Sequence, residues 1–316
     1  MTKDHEQRPI DIDPYWLETD RPDDDNLQEL AENLTNGYGG RLVLFLGAGA
    51  SVGARANDAY LPTAVSLRDE LWRRFMRRDA DFDFAKLGTM SLDQAAAFAE
   101  AKVGRRPVAE YVASRFKTDK TLWQHAVLPF LEPTAIYTTN YDLLVEQAWS
   151  AQMLTPAIRP VVPIFSARQN VVPDYMPLYK PHGSADRAFD PVGAGGPVIT
   201  TIDYFDMVTD KQSMLDRWLA DATDACVVLI GYSMTDMDIA ARLYDIKKHN
   251  GGLHWYSVFP RRDSTVRKYW SERLRIRPID RRFAEFMVDL DALINFIPCE
   301  WKYNQIATQR QRGMIQ

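Results

Sequence analysis

The chain has 316 residues, with 38 Lys and Arg against 43 Asp and Glu for a formal charge of −5, and it is 46% hydrophobic, 11% aromatic and 26% charged. Those proportions belong to a folded globular protein and exclude collagen-like, low-complexity and wholly disordered classes. Only two cysteines occur, Cys226 and Cys299, too few for a disulfide scaffold or a cysteine-built zinc module, so a reducing setting is expected.

The longest apolar runs, 42–46 and 225–230, are far shorter than the roughly 20 residues of a membrane span. The N-terminus reads Met-Thr-Lys-Asp-His-Glu, without an apolar signal region, and a cytoplasmic, membrane-free protein is expected. Residues 1–25 end in Asp23, Asp24 and Asp25, with few apolar anchors beyond Tyr15, Trp16 and Leu17. They read as an acidic extension that is either flexible or docked on a partner.

From residue 26 helical and strand patterns alternate. A helix near 27–35 precedes a buried β-run at 41–46, which Gly47 ends. Helical periodicity fills 65–78 and recurs from 92 to 130, so about 79–130 reads as a helical insertion. Short apolar runs follow at 134–137, 176–179, 225–230, 254–259 and 275–279. Most are separated by helix-like segments at 143–150, 202–223, 236–248 and 263–273, and a last helix is expected near 282–296. Alternation of this kind predicts an α/β fold: a Rossmann-like parallel sheet of about six strands, with helices on both faces, in one domain over 26–300 followed by a tail at 301–316. Arg261, Arg262, Arg267, Lys268, Arg273, Arg275, Arg277, Arg281 and Arg282 make the C-terminal third basic. The patch reads as a solvated face or an interface between subunits, and direct nucleic-acid binding is not expected.

Four loops follow expected strand ends, where open parallel sheets bind ligands. The first, Gly47-Ala48-Gly49-Ala50-Ser51-Val52-Gly53, has glycines that allow close approach to a pyrophosphate, or it is a plain tight turn. Asp69 and Glu70 lie about twenty residues on but inside an expected helix, and no Gly-Lys-Ser/Thr of a P-loop follows. The second, Thr138-Thr139-Asn140-Tyr141-Asp142, offers an amide and a carboxylate for ribose or carboxamide recognition, or a helix cap by Thr139, Asn140 or Asp142. The third, Lys180-Pro181-His182-Gly183-Ser184, carries either a general base or a surface-loop histidine; His5, His125, His249 and His254 lack that context. The fourth runs from Gly231 through Tyr232, Ser233, Met234, Thr235, Asp236 and Met237 to Asp238. In it Gly231 permits close approach, Ser233 can contact phosphate or ribose, and Thr235 or Asp236 can cap a helix.

Taken together and in this order, the four loops resemble the sirtuin-like family, the silent-information-regulator type of NAD-binding fold, over residues 41–240 with a tail to about 297. The resemblance implies that Gly47, Ala48, Gly49 and Ser51 hold the pyrophosphate and that Asn140 lies by the nicotinamide ribose. It implies further that Asp142 reads the carboxamide, that His182 is the catalytic base, and that Gly231 and Ser233 meet the adenosine half beside Val258 and Phe259. Thr139, Gly183, Ser184 and Asp236 complete the expected binding set. The segment 185–224 contains no cysteine, where the deacylases of this family carry a four-cysteine zinc module, and their Pro-Asp-Phe-Arg segment is replaced by Tyr60-Leu-Pro-Thr63. No metal and no zinc are therefore expected. The pattern is similar instead to the sirtuin-like NADases of bacterial antiphage defence, which hydrolyse NAD+ to nicotinamide and ADP-ribose in abortive infection. That implies a hydrolase controlled by homo-oligomerisation, a separate partner protein or a ligand. A non-catalytic NAD+ or ADP-ribose sensor and a zinc-free protein deacylase stand as the alternatives.

Overall fold

Strands β1 (Leu42–Leu46) and β7 (Cys226–Ile230) read Leu-Val-Leu-Phe-Leu and Cys-Val-Val-Leu-Ile, and every residue of both is buried. Continuous apolar runs of this kind are what a strand covered on both faces requires. The two pair in parallel, Leu42 opposite Cys226 through Leu46 opposite Ile230. A computed structural model describes residues 25–35, 41–76, 87–152, 158–221, 225–233, 237–249, 254–260 and 272–305, with 310, 313, 315 and 316.

Five further strands complete the sheet: β4 (Ala135–Thr138), β5 (Val161–Ile164), β6 (Met176–Tyr179), β8 (Trp255–Val258) and β9 (Arg277–Ile279). The order is β5-β6-β4-β1-β7-β8-β9, and every neighbouring pair is parallel. The expected Rossmann-like α/β fold is thus present with seven strands. The addition to the sequence reading is the edge strand β5, whose Pro163 lacks a ladder donor and masks the strand signal. Residues 261–271, where most of an expected helix falls, lie outside the described residues.

Side chains of β1 alternate between two cores. Leu42, Leu44 and Leu46 point into one with α1 (Asp25–Thr35), α5 (Trp123–Ala126), α6 (Leu144–Ala151) and α9 (Phe283–Ile294). Val43 and Phe45 point into the other, where Trp218 and Leu215 of the helix α7 (Thr201–Asp221) and Leu243 of α8 (Met237–His249) cover the sheet. There Phe45 stacks on Tyr137 at 5.1 Å between ring centroids and meets Trp218 edge-on at 5.9 Å. Rings buried this completely contribute on the order of 1.5–3 kcal/mol each.

Between β1 and β4 the chain forms a two-residue-strand hairpin, β2 (Arg55–Ala56) and β3 (Ala59–Tyr60), then α2 (Ala64–Leu71), α3 (Leu92–Val103) and α4 (Arg105–Phe116). Thr63 caps α2 and a Ser91/Gln94 capping box starts α3, which fixes where each helix begins. These helices share a third core, Leu67, Leu71, Ala96, Ala99, Val108 and Val112, that also contains Tyr141 and Ile199. The helical layer therefore rests on the loop after β4, at the carboxyl edge of the sheet.

Candidate functional site

Connections from β1 run outward to β4 and later recross to β7, so the sheet reverses its winding beside β1. In a doubly wound sheet the crevice for a ligand lies there, outside the carboxyl ends of the strands. The loops after β1, β4, β6 and β7 meet at that edge.

The β1 and β7 loops touch through backbone alone. Gly47 N–H donates to Ile230 at 2.9 Å, Gly49 N–H to Gly231 at 2.9 Å, and Gly231 N–H to Val258 at 3.1 Å. Gly231 has φ +62°, and a Cβ there would lie 2.2 Å from the Ala50 nitrogen; a Cβ on Gly47 would lie 2.6 Å from the Gly231 oxygen. Only glycine permits this approach. The amides of Gly47, Gly49 and Ala50 are thus already bonded within the protein, Ala50 to the Gly47 carbonyl. Those three donors are not open to an anion, although Ala48 and Gly49 are exposed residues of the loop.

The β4 loop is tied to the same place by side chains. Asn140 Nδ2 donates to the Gly47 carbonyl and to Ser51 Oγ, each at 2.9 Å, and Ser51 Oγ in turn donates to Asp142 Oδ2 at 2.6 Å. Asp142 Oδ1 accepts the Leu144 N–H at 3.2 Å at the start of α6. Asp142 therefore bonds the first turn of α6 and the Ser51 hydroxyl at once. Both oxygens of this buried carboxylate are engaged, and burial raises its pKa against the opposing Ser51 bond and Lys180 charge. Both Asn140 amide hydrogens are spent inside the protein, which leaves its Oδ1 as the group able to accept from a ligand hydroxyl.

His182 sits in the β6 loop with 6% of its surface exposed. Its ring meets the edge of Tyr204 at 5.3 Å and lies 6.3 Å from Tyr141, whose hydroxyl donates to the Val198 carbonyl at 2.5 Å. Burial first, and then the charge of Lys211, lower its pKa to about 3, while a hydrogen bond to the Thr139 backbone works the other way. The imidazole is accordingly neutral at physiological pH. Gly183 turns the chain with φ +82°, and a Cβ there would lie 2.3 Å from the Gly196 oxygen.

Of the remaining expected site residues, Thr139 is half-buried and Ser233 exposed. Ser184 is fully buried and its hydroxyl accepts from Lys180 at 3.1 Å, so it faces the interior and not the mouth of the crevice. Asp236 lies outside the described residues. Asp69 and Glu70 are used elsewhere: Asp69 pairs with Arg68 at 2.8 Å, and Glu70 pairs with Arg115 at 2.7 Å and accepts the Tyr111 hydroxyl. In the basic C-terminal third, Arg277 pairs with Glu29 at 2.9 Å and Arg281 with Asp289 at 2.7 Å. Sequence reasoning gave no role to Lys180, Lys211, Tyr141 or Tyr204; their proximity to His182 or to the β4 loop arises from tertiary contacts with no local sequence signal. Among the described residues, no group of three or more His, Cys, Asp or Glu is placed to hold a metal ion, and no helix is long and apolar enough to cross a membrane.

Residues 134–279 match the family model described as SIR2-like domain. The match supports the sirtuin-like family for this chain, and with it an NAD-related function in general terms. It begins after β1, yet the glycine loop at 47–51 is hydrogen-bonded to Asn140, Asp142, Ile230 and Gly231 inside the matched segment. No curated protein matches the chain.

Proposed function

We propose that the protein is an NAD+ glycohydrolase, with NAD+ lying across the carboxyl ends of β1, β4 and β7. The observation that carries this reading is the adjacency of Thr139 and Asn140. Asn140 bonds the glycine loop and Ser51, while the backbone of Thr139 meets the His182 ring. A phosphate-side loop and a candidate base are thereby coupled through two successive residues of one strand end.

In this reading the glycosidic bond between nicotinamide N1 and ribose C1′ breaks, the electron pair leaves with nicotinamide, and a water oxygen bonds C1′. The water proton passes to His182 and then to solvent, giving ADP-ribose. Rigid placement of both ends supports such a dissociative step. A neutral His182 suits it, because only a deprotonated ring can accept the water proton. Asn140 Oδ1 would orient the water or a ribose hydroxyl. We read the activity as that of an NAD-depleting effector, in keeping with the resemblance to antiphage NADases, held in check by homo-oligomerisation or a separate partner protein.

One observation favours a second reading. An imidazole held near pKa 3 is a weak proton sink, as suits a module that binds NAD+ or ADP-ribose without turnover. Chromatography of NAD+ incubated with the protein, alongside calorimetric titration of NAD+, separates the two. The glycohydrolase yields nicotinamide and ADP-ribose in equal amounts; a binding heat with no nicotinamide identifies the sensor; neither result removes both.

A further inference from the structure

Lys180 stands two residues before His182, with 1% of its surface exposed. Its ammonium has three donors and three partners: the Asp142 carbonyl at 2.7 Å, Glu146 Oε1 at 2.8 Å and Ser184 Oγ at 3.1 Å. These belong to three pieces of the fold, namely the loop after β4, the first turn of α6 and the loop after β6. The same two loops are joined once more by backbone, where Ala185 N–H donates to the Tyr141 carbonyl at 2.8 Å.

We propose that the buried Lys180 ammonium, anchored by Glu146, is a positioning residue that locks the Asn140 loop to the His182 loop. A charged donor meeting three oxygens in a dry site is held tightly, and its geometry is passed to whatever the oxygens belong to. Lys180 touches neither the crevice mouth nor His182 itself in these contacts. It fixes the Asp142 backbone, and through Asp142, Ser51 and Asn140 it fixes the side of the crevice that faces the glycine loop. On the other side it fixes Ser184, two residues beyond His182. The activity part of this inference rests on the glycohydrolase reading; the structural part does not.

The test uses the full chain as Lys180→Met/Glu146→Gln, which removes the cation together with the Glu146 carboxylate it pairs, while Asp142 keeps its Ser51 and Leu144 bonds. Hydrogen exchange is followed at Leu144, which donates to Asp142, at Ala185, which donates to Tyr141, and at Val228 in the core of β7. The proposal expects faster exchange at both Leu144 and Ala185 with Val228 unchanged. It also expects kcat for nicotinamide release to fall about 10²-fold at constant KM, the size of effect that a misplacement of about 1 Å produces. Exchange that stays slow at either loop overturns the proposal, as does unchanged kcat in an enzyme that turns over. Exchange that rises equally at Val228 also overturns it, because a support for the whole fold would do that. If the isolated wild type releases no nicotinamide, as a sensor or an enzyme held in check would, the exchange pattern alone decides. Should the double variant not fold, Ser184→Ala, which removes one tether and no charge, is measured in its place. Faster exchange at Ala185 with Val228 unchanged then supports the proposal, and no change overturns it.

Discussion

The Ser51 hydroxyl donates to the Asp142 carboxylate at 2.6 Å across 91 residues of sequence. That one bond joins the loop that ends β1 to the loop that ends β4, and Asn140 reinforces it by donating to the same hydroxyl. Ser51→Ala leaves a buried carboxylate and a carboxamide N–H each short of a partner. The expected cost is about 1–3 kcal/mol of folding stability, read by urea denaturation. A loss within error of zero would mean that the bond does not hold the two loops.

Contact between backbones makes the glycines of the crevice testable against an internal control. Gly104, at φ +84°, has nothing within 4 Å of where a Cβ would stand, whereas at Gly231 the same atom would lie 2.2 Å from the Ala50 nitrogen. Gly104, with ψ 163°, lies in a positive-φ region that only glycine adopts readily, so Gly104→Ala carries a backbone cost of about 1–3 kcal/mol and no collision. Gly231→Ala adds a collision with main chain on top of it. Thermal melts of both variants should place Gly231→Ala well below Gly104→Ala, and equal melting temperatures would show that the β1 and β7 loops yield easily.

His125 and His182 are both held near pKa 3, His125 by burial and His182 by burial together with Lys211. A pKa depressed on folding means that the unfolded chain takes up the proton first. These groups therefore lower stability as pH falls below the ordinary histidine value of about 6.5, by about 1.4 kcal/mol per pH unit for each histidine. Asp142 and Glu146 have raised pKa values, chiefly through burial, and so pull the other way as pH approaches the carboxylate range. Urea denaturation should show stability falling from about pH 6.5 toward about 5.5, while imidazole proton shifts of the two residues stay constant over that interval. Titration of either ring above about pH 5 would contradict the burial described for it.

The central sheet was legible because β1 and β7 are unbroken apolar runs and because Gly47 and Gly231 mark where they stop. Part of the crevice was legible for a related reason: Gly47, Gly49 and Gly231 mark the loops after β1 and β7, and Gly183 marks the turn beside His182, whereas the loop of Asn140 and Asp142 has no glycine and stood out only as a polar cluster after a strand. Edge strand β5 escaped because Pro163 and its part-exposed neighbours do not look like a buried strand. The β2–β3 hairpin escaped because its turn uses Asn57 and Asp58 at φ +50° and +62°, with no glycine to announce it. The burial of Ser184 and the grip of Lys180 on two loops depend on contacts dozens of residues away, and no local pattern encodes them.

The most direct measurement is nicotinamide release from NAD+ by the wild-type protein beside Asn140→Ala and His182→Ala. Folding of each variant is confirmed by a cooperative denaturation transition. If Asn140 orients the nucleophile and His182 accepts its proton, the wild type releases nicotinamide and each variant is slower by about 10²–10⁴-fold. Equal release by all three proteins would contradict the assignment of the chemistry to this crevice.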